Sequence, residues 1–95
     1  MVIIYGRTLE RAKIQLDILL SFMKEENIRS YRKTRQSYEV IFFNGLNIKA
    51  VVPNPTQRGM RYNIAYIDHT ISQQVIEEII LPCGGPSKYP IIIYY

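Results

Sequence analysis

Residues 38–68, YEVIFFNGLNIKAVVPNPTQRGMRYNIAYID, decide the fold. Two apolar-rich runs, 38–43 and 46–51, flank Asn44-Gly45, and Asn-Gly is the pair best able to adopt positive φ at both centres of a type I′ turn. That turn predicts a β-hairpin in which Phe43 opposes Leu46, Ile41 opposes Ile48 and Glu39 opposes Ala50. Side chains alternate across a strand, so this register gives a core-facing side of Phe43, Leu46, Ile41, Ile48 and Ala50. The other side pairs Phe42 with Asn47, Val40 with Lys49 and Tyr38 with Val51, and is mixed and partly wet. Pro53 and Pro55 remove backbone donors and fix φ, so 53–57 is a loop. Residues 64–68 then read as a buried strand ending in Asp68.

Working outward, residues 1–5 form a short apolar strand without polar alternation, closed by Gly6. Thr8 is placed to cap a helix over about 8–26, with Glu10 in its first turn. Leu9, Ala12, Leu16, Leu19, Leu20 and Met23 keep to one helical face, while Arg11, Lys13, Asp17 and Lys24 fall away from it. A strand followed by a helix suggests a βαβ crossover whose next parallel strand is 64–68. After Asp68, Thr70 or Ser72 can cap a second short helix with Val75, Ile76, Ile79 and Ile80 on one stripe, ended by Pro82. Gly84-Gly85-Pro86 is a connector, and 89–95 a final strand. The expected order is β-α-β-β-β-α-β: one α/β domain spanning 1–95, with a small, mostly parallel sheet of about five strands, a hairpin and two helices.

Ninety-five residues, 47% hydrophobic and 21% charged, suit one ordinary globular core. The apolar runs are far shorter than the roughly 20 residues of a membrane span, no secretory leader opens the chain, and the lone Cys83 fits a reducing compartment. A cytoplasmic protein without membrane contact is expected. The net charge of +4 is unevenly placed: residues 1–35 hold eight of the twelve Lys/Arg against four of the eight acids. Within 29–35, Arg29, Arg32, Lys33 and Arg35 surround Tyr31.

Phe43-Asn44-Gly45, Ile48, Arg58-Gly59-Met60-Arg61 and the strand Ile64-Ala65-Tyr66-Ile67-Asp68 together resemble the middle of the ATPase core of phage terminase large subunits and related helicase-like P-loop proteins. In that family a hairpin with an Asn-Gly turn precedes an Arg-Gly loop and the Walker B strand. Residues 2–23 resemble the family's second strand and helix, where the strand ends in Arg-Thr or a similar polar pair. The resemblance implies a degenerate P-loop NTPase-like fold, phage-encoded, in which Asp68 matches the Walker B aspartate, helping to hold Mg²⁺ only if a residual site exists. His69 stands where the family's catalytic Glu would be.

The chemistry of hydrolysis is incomplete. A phosphate cradle needs a glycine-rich loop with Lys and Ser/Thr, and no G-x-x-x-x-G-K-[ST] occurs. Gly6-Arg7-Thr8 has one glycine and no Lys. Asp68, followed by Thr70 and Ser72, is read as a helix cap in preference to a metal ligand, and His69 as a polar strand-end group. No second His and no Cys pair exists for zinc, and Cys83 has no neighbouring base. No catalytic residue, metal or cofactor is expected.

Two binding readings remain open. Arg29, Arg32, Lys33 and Arg35 can neutralise phosphates while Tyr31 stacks on a base, with Lys49, Arg58 and Arg61 extending the surface. The partner is then nucleic acid or a nucleic-acid-processing protein, although an ordinary solvated loop would look the same. Alternatively, eight tyrosines and no Trp point to a protein-binding face at Tyr62, Tyr94 and Tyr95, contacting a host or defence protein that the chain inhibits. The final strand would also serve as an edge for a homodimer.

Overall fold

A computed structural model describes residues 1–55, 61–84 and 90–95. Strand β1 (Val2–Tyr5) is buried along its whole length because it lies at the centre of the sheet. It pairs in parallel with β4 (Asn47–Val51) on one side and β5 (Ile64–Ile67) on the other. The full order is β2-β3-β4-β1-β5-β6, with β2 (Ile28–Lys33), β3 (Ser37–Phe42) and β6 (Ile91–Tyr94). Only β3 runs against the rest, so the sheet is mixed and six-stranded.

Helix α1 (Leu9–Leu20) lies on one face of the sheet. Ala12 and Leu16 pack there on Val2, Ile4, Val40, Phe42, Ile48 and Ala50. Thr8 is the expected cap, its hydroxyl accepting from the Arg11 amide at 3.2 Å. The turn before it needs glycine: a Cβ on Gly6 would sit 2.5 Å from the Thr8 carbonyl oxygen and 2.6 Å from the Ala12 nitrogen. The helix ends at Leu20 rather than near 26. Its 12 residues span about 18 Å, the length of a five-residue strand at roughly 17 Å. Beyond that point Phe22, 84% exposed, has no sheet left to cover.

The second helix, α2 (Gln73–Val75), continues through a wider turn over Ile76–Ile80 and lies on the opposite face. There Ile76, Ile80 and Cys83 pack on Ile3, Tyr5, Tyr62, Ala65 and Ile67. Ser72 caps it, accepting from the Val75 amide at 3.3 Å.

The hairpin forms, but one residue away from the expected register. Val40 pairs with Ile48, Ile41 with Asn47 and Glu39 with Lys49. The connection is a three-residue loop: the Gly45 amide donates to the Phe42 carbonyl (3.0 Å), and the Phe42 amide to that of Leu46 (2.9 Å). Gly45 has φ of +90°, and no non-glycine residue among those described has positive φ. Asn44 therefore keeps a negative φ and its side chain accepts from the Leu46 amide (2.9 Å), as in a type I turn closed by a glycine bulge. The shift exchanges the faces: Val40 and Phe42 join the core, while Phe43 is 70% exposed.

The basic segment, not among the expected strands, is the edge strand β2, paired with β3 from Lys33↔Tyr38 to Ile28↔Phe42. The register shifts between Ile28 and Ser30, leaving Arg29 at a bulge.

Candidate functional site

The chain leaves β1 into α1 on one face and leaves β5, its neighbour, into α2 on the other. Such divergence opens a crevice beyond the carboxyl ends of the strands, the usual place for a ligand in an open α/β sheet. Here it is a cleft of about 410 Å³ lined by Arg7, Val52, Pro53, Thr70, Ile71, Ser72 and Val75.

Asp68, directly after β5, ties the two loops that flank the cleft. It is fully buried and accepts five hydrogen bonds: from the Arg7 amide (3.0 Å), Arg11 Nε (2.5 Å) and Nη2 (2.9 Å), the Thr70 amide (3.0 Å) and the Thr70 hydroxyl (2.9 Å). The Arg11 guanidinium, then the Arg7 and Thr70 donors, hold the carboxyl well below the usual carboxylate range against the opposing effect of burial. Asp68 in turn raises the Arg11 pKa. Contrary to the expectation that it caps α2, Asp68 fastens the β1–α1 turn to the end of β5, and Ser72 does the capping. A carboxylate presents about four lone-pair sites, and the five donors take them up.

His69 is the expected hydrogen-bonded strand-end group. Its amide (2.8 Å) and Nδ1 (2.7 Å) both reach the Tyr95 carbonyl, so Nδ1 carries the proton. The Tyr95 hydroxyl donates to the Tyr5 carbonyl at 2.8 Å. The Tyr5 hydroxyl is buried and has no hydrogen-bond partner among the described residues; burial raises the pKa of both tyrosines. Among the described residues no group of three or more His, Cys, Asp or Glu gathers to hold a metal, and no helix is long and apolar enough to cross a membrane.

The second candidate region is the free edge of β2, exposed from Arg29 to Lys33. Tyr31 and Lys33 oppose Val40 and Tyr38 on the α1 side of the sheet, and Arg32 opposes Glu39 on the other side. Lys33 Nζ lies 5.4 Å from the Tyr38 ring centre, as does Lys13 Nζ from α1, within cation–π range. Lys13 is also paired with Asp17 (2.6 Å). Arg32 reaches Glu39 only at 3.8 Å with 70% of its side chain exposed, a weak tie. Because β2 runs in the direction of β1, Arg35 follows it at the crevice end, lining a smaller cleft of about 190 Å³ with Leu9, Gln36, Val52, Pro53 and Asn54.

The remaining site residues do not gather here. Lys49 is half-buried on the face away from α1, opposite Glu39. Arg58 lies outside the described residues. Arg61 sits at the other rim, donating to the Pro82 carbonyl at 3.2 Å. Tyr62, expected at a protein interface, is a core residue, 1% exposed, with its hydroxyl on the Ile80 carbonyl (2.9 Å) and its ring edge-on to Tyr5. Of the interface tyrosines, Tyr94 is exposed and Tyr95 half-buried.

Two crevice residues escaped the sequence reading. In the sequence Arg11 is one of several polar positions on the outer side of a helix, and Arg7 stands out only by comparison with a P-loop Lys. A signal did exist for a partner. A carboxylate ending a fully apolar strand is headed for burial and needs a cation, but nothing local identifies one 57 residues away. Compared with protein-family models, curated proteins and solved structures, the chain has no match.

Proposed function

We propose that this chain is a non-catalytic nucleic-acid-binding module, descended from a terminase- or helicase-like ATPase core, that holds the phosphate backbone along β2. The observation that carries the reading is the uncovered edge itself: Arg29, Arg32 and Lys33 stand on one exposed strand around the exposed Tyr31, and Arg35 continues the line to the crevice. Cations along one edge strand, Lys33 on the α1 side with Tyr31 and Arg32 on the other, neutralise phosphates of a backbone lying along that edge, and the exposed Tyr31 ring gives a base a surface to stack on. The saturation of Asp68 by five donors supports the non-catalytic part, because the residue matching the Walker B aspartate serves as a structural clamp.

The test is fluorescence anisotropy with a labelled single-stranded oligonucleotide. The variant Arg29→Gln, Arg32→Gln, Lys33→Gln, Arg35→Gln is expected to bind at least ~100-fold more weakly at low salt, as loss of several phosphate contacts requires. Equal binding by the two proteins would overturn the proposal.

A further inference from the structure

On the α1 side, the helix lies mainly over β4 and β1, and Ile64 and Tyr66 of β5 are only half-buried. Register places Ile91 and Ile93 on that side, beside Ile64 and Tyr66, which are themselves aligned with Val2 and Ile4 under the helix. These half-buried and exposed side chains form an apolar floor. Ile91 is 54% and Ile93 37% exposed.

Beside the floor stands an apolar ridge. Ile14, Ile18 and Phe22 follow one another at four-residue spacing and are 54%, 48% and 84% exposed. That this side of α1 borders the floor is fixed by a cleft of about 230 Å³ between Arg11, Ile14, Gln15, Ile18 and Tyr95, since Tyr95 directly follows β6.

The geometry points to a second copy of this chain as the occupant of this face, with each copy's Ile14–Ile18 ridge seated on the other's β5–β6 floor. A two-fold contact requires one patch to be complementary to itself. A ridge lying alongside a floor meets that requirement, because rotation about an axis between them brings each ridge onto the opposite floor. The exposed apolar side chains supply more than half of the area one partner gives a stable interface. Taking each of these side chains near the lower end of the roughly 150–250 Å² of an aromatic one, the exposed parts of Ile14, Ile18, Phe22, Ile91 and Ile93 amount to on the order of 400–500 Å². The half-buried Tyr66 and Tyr95 and the Arg11 and Gln15 stems bring the face toward the ~800 Å² that one partner gives a stable interface. The β2 edge lies at the far end of the sheet, so this association neither uses nor blocks the nucleic-acid surface proposed above.

Sedimentation equilibrium of the intact chain from about 1 μM to about 1 mM covers moderate self-association. The expected mass rises to twice 11.2 kDa. Ile14→Glu on the ridge and Ile91→Glu on the floor are each expected to weaken the dimer at least ~100-fold while retaining the native circular dichroism spectrum; both side chains are more than half exposed. Phe43→Glu, at the 70%-exposed hairpin tip, leaves self-association unchanged. A monomer at every concentration overturns the inference, as does a dimer that survives both ridge and floor variants or is lost equally with Phe43→Glu. Should one Glu variant unfold, the other alone decides.

Discussion

Replacing Asp68 with Ala removes the acceptor that ties the β1–α1 turn to β5 and strands its donors: two amides, a hydroxyl and two guanidinium nitrogens. Breaking a buried ion pair by deleting one partner costs about 3–5 kcal/mol. The Arg11 side chain is 43% exposed and can turn toward water, which sets the loss at the lower end, about 3 kcal/mol. At about 4–8 °C per kcal/mol for a domain of this size, the Tm should fall by roughly 12–24 °C. Asp68→Asn should cost nearly as much, because its amide nitrogen adds a donor where Arg11 already donates. Urea denaturation followed by circular dichroism measures the change directly, with the slope m unchanged if only stability is altered. A loss below about 1 kcal/mol in both variants, no more than one ordinary hydrogen bond, would refute the clamp.

The same residue sets an acid limit. The native Asp68 carboxyl titrates below its unfolded value, near 3.9, so its contribution is present above about pH 4 and is lost as pH falls toward the native pKa; denaturation midpoints measured down the pH scale should show this loss in the parent and not in Asp68→Ala. Tyr5 and Tyr95 act at the other end: their native pKa values are raised by burial, so stability should decline once pH exceeds the unfolded tyrosine value of about 10. Gly6→Ala should destabilise by more than about 2 kcal/mol, beyond the typical point-mutant loss, because the new Cβ would press on backbone at 2.5 and 2.6 Å. Alanine tolerated at Gly6 without loss of stability would show that the turn has room.

How much of this was legible in the chain depends on how local the determinant is. The apolar run at 2–5, the Thr8 cap and the strand 64–67 follow from residues adjacent in sequence, and the structure contains them. Asn44-Gly45 announced a turn correctly, but glycine satisfies both a two-residue turn needing two positive φ values and a three-residue turn needing one. Gly45 alone takes φ of +90°, and the one-residue difference moves Phe42 into the core and Phe43 out of it. Strand β2 was invisible because no apolar alternation marks IRSYRK; it is a strand because β3 offers it an edge. The Arg11–Asp68 pair and the burial of Tyr62 depend on residues brought together by the sheet, 57 and 18 positions apart.

The central claim, that β2 holds a phosphate backbone, is tested most directly by the salt dependence of binding to a single-stranded oligonucleotide. Four cations at 29, 32, 33 and 35 predict a slope of log K against log salt near −3, about 0.7 for each phosphate neutralised. Each Arg→Gln substitution along β2 should make that slope about 0.7 shallower. A slope near zero, or one unchanged when all four cations are replaced, would contradict the account.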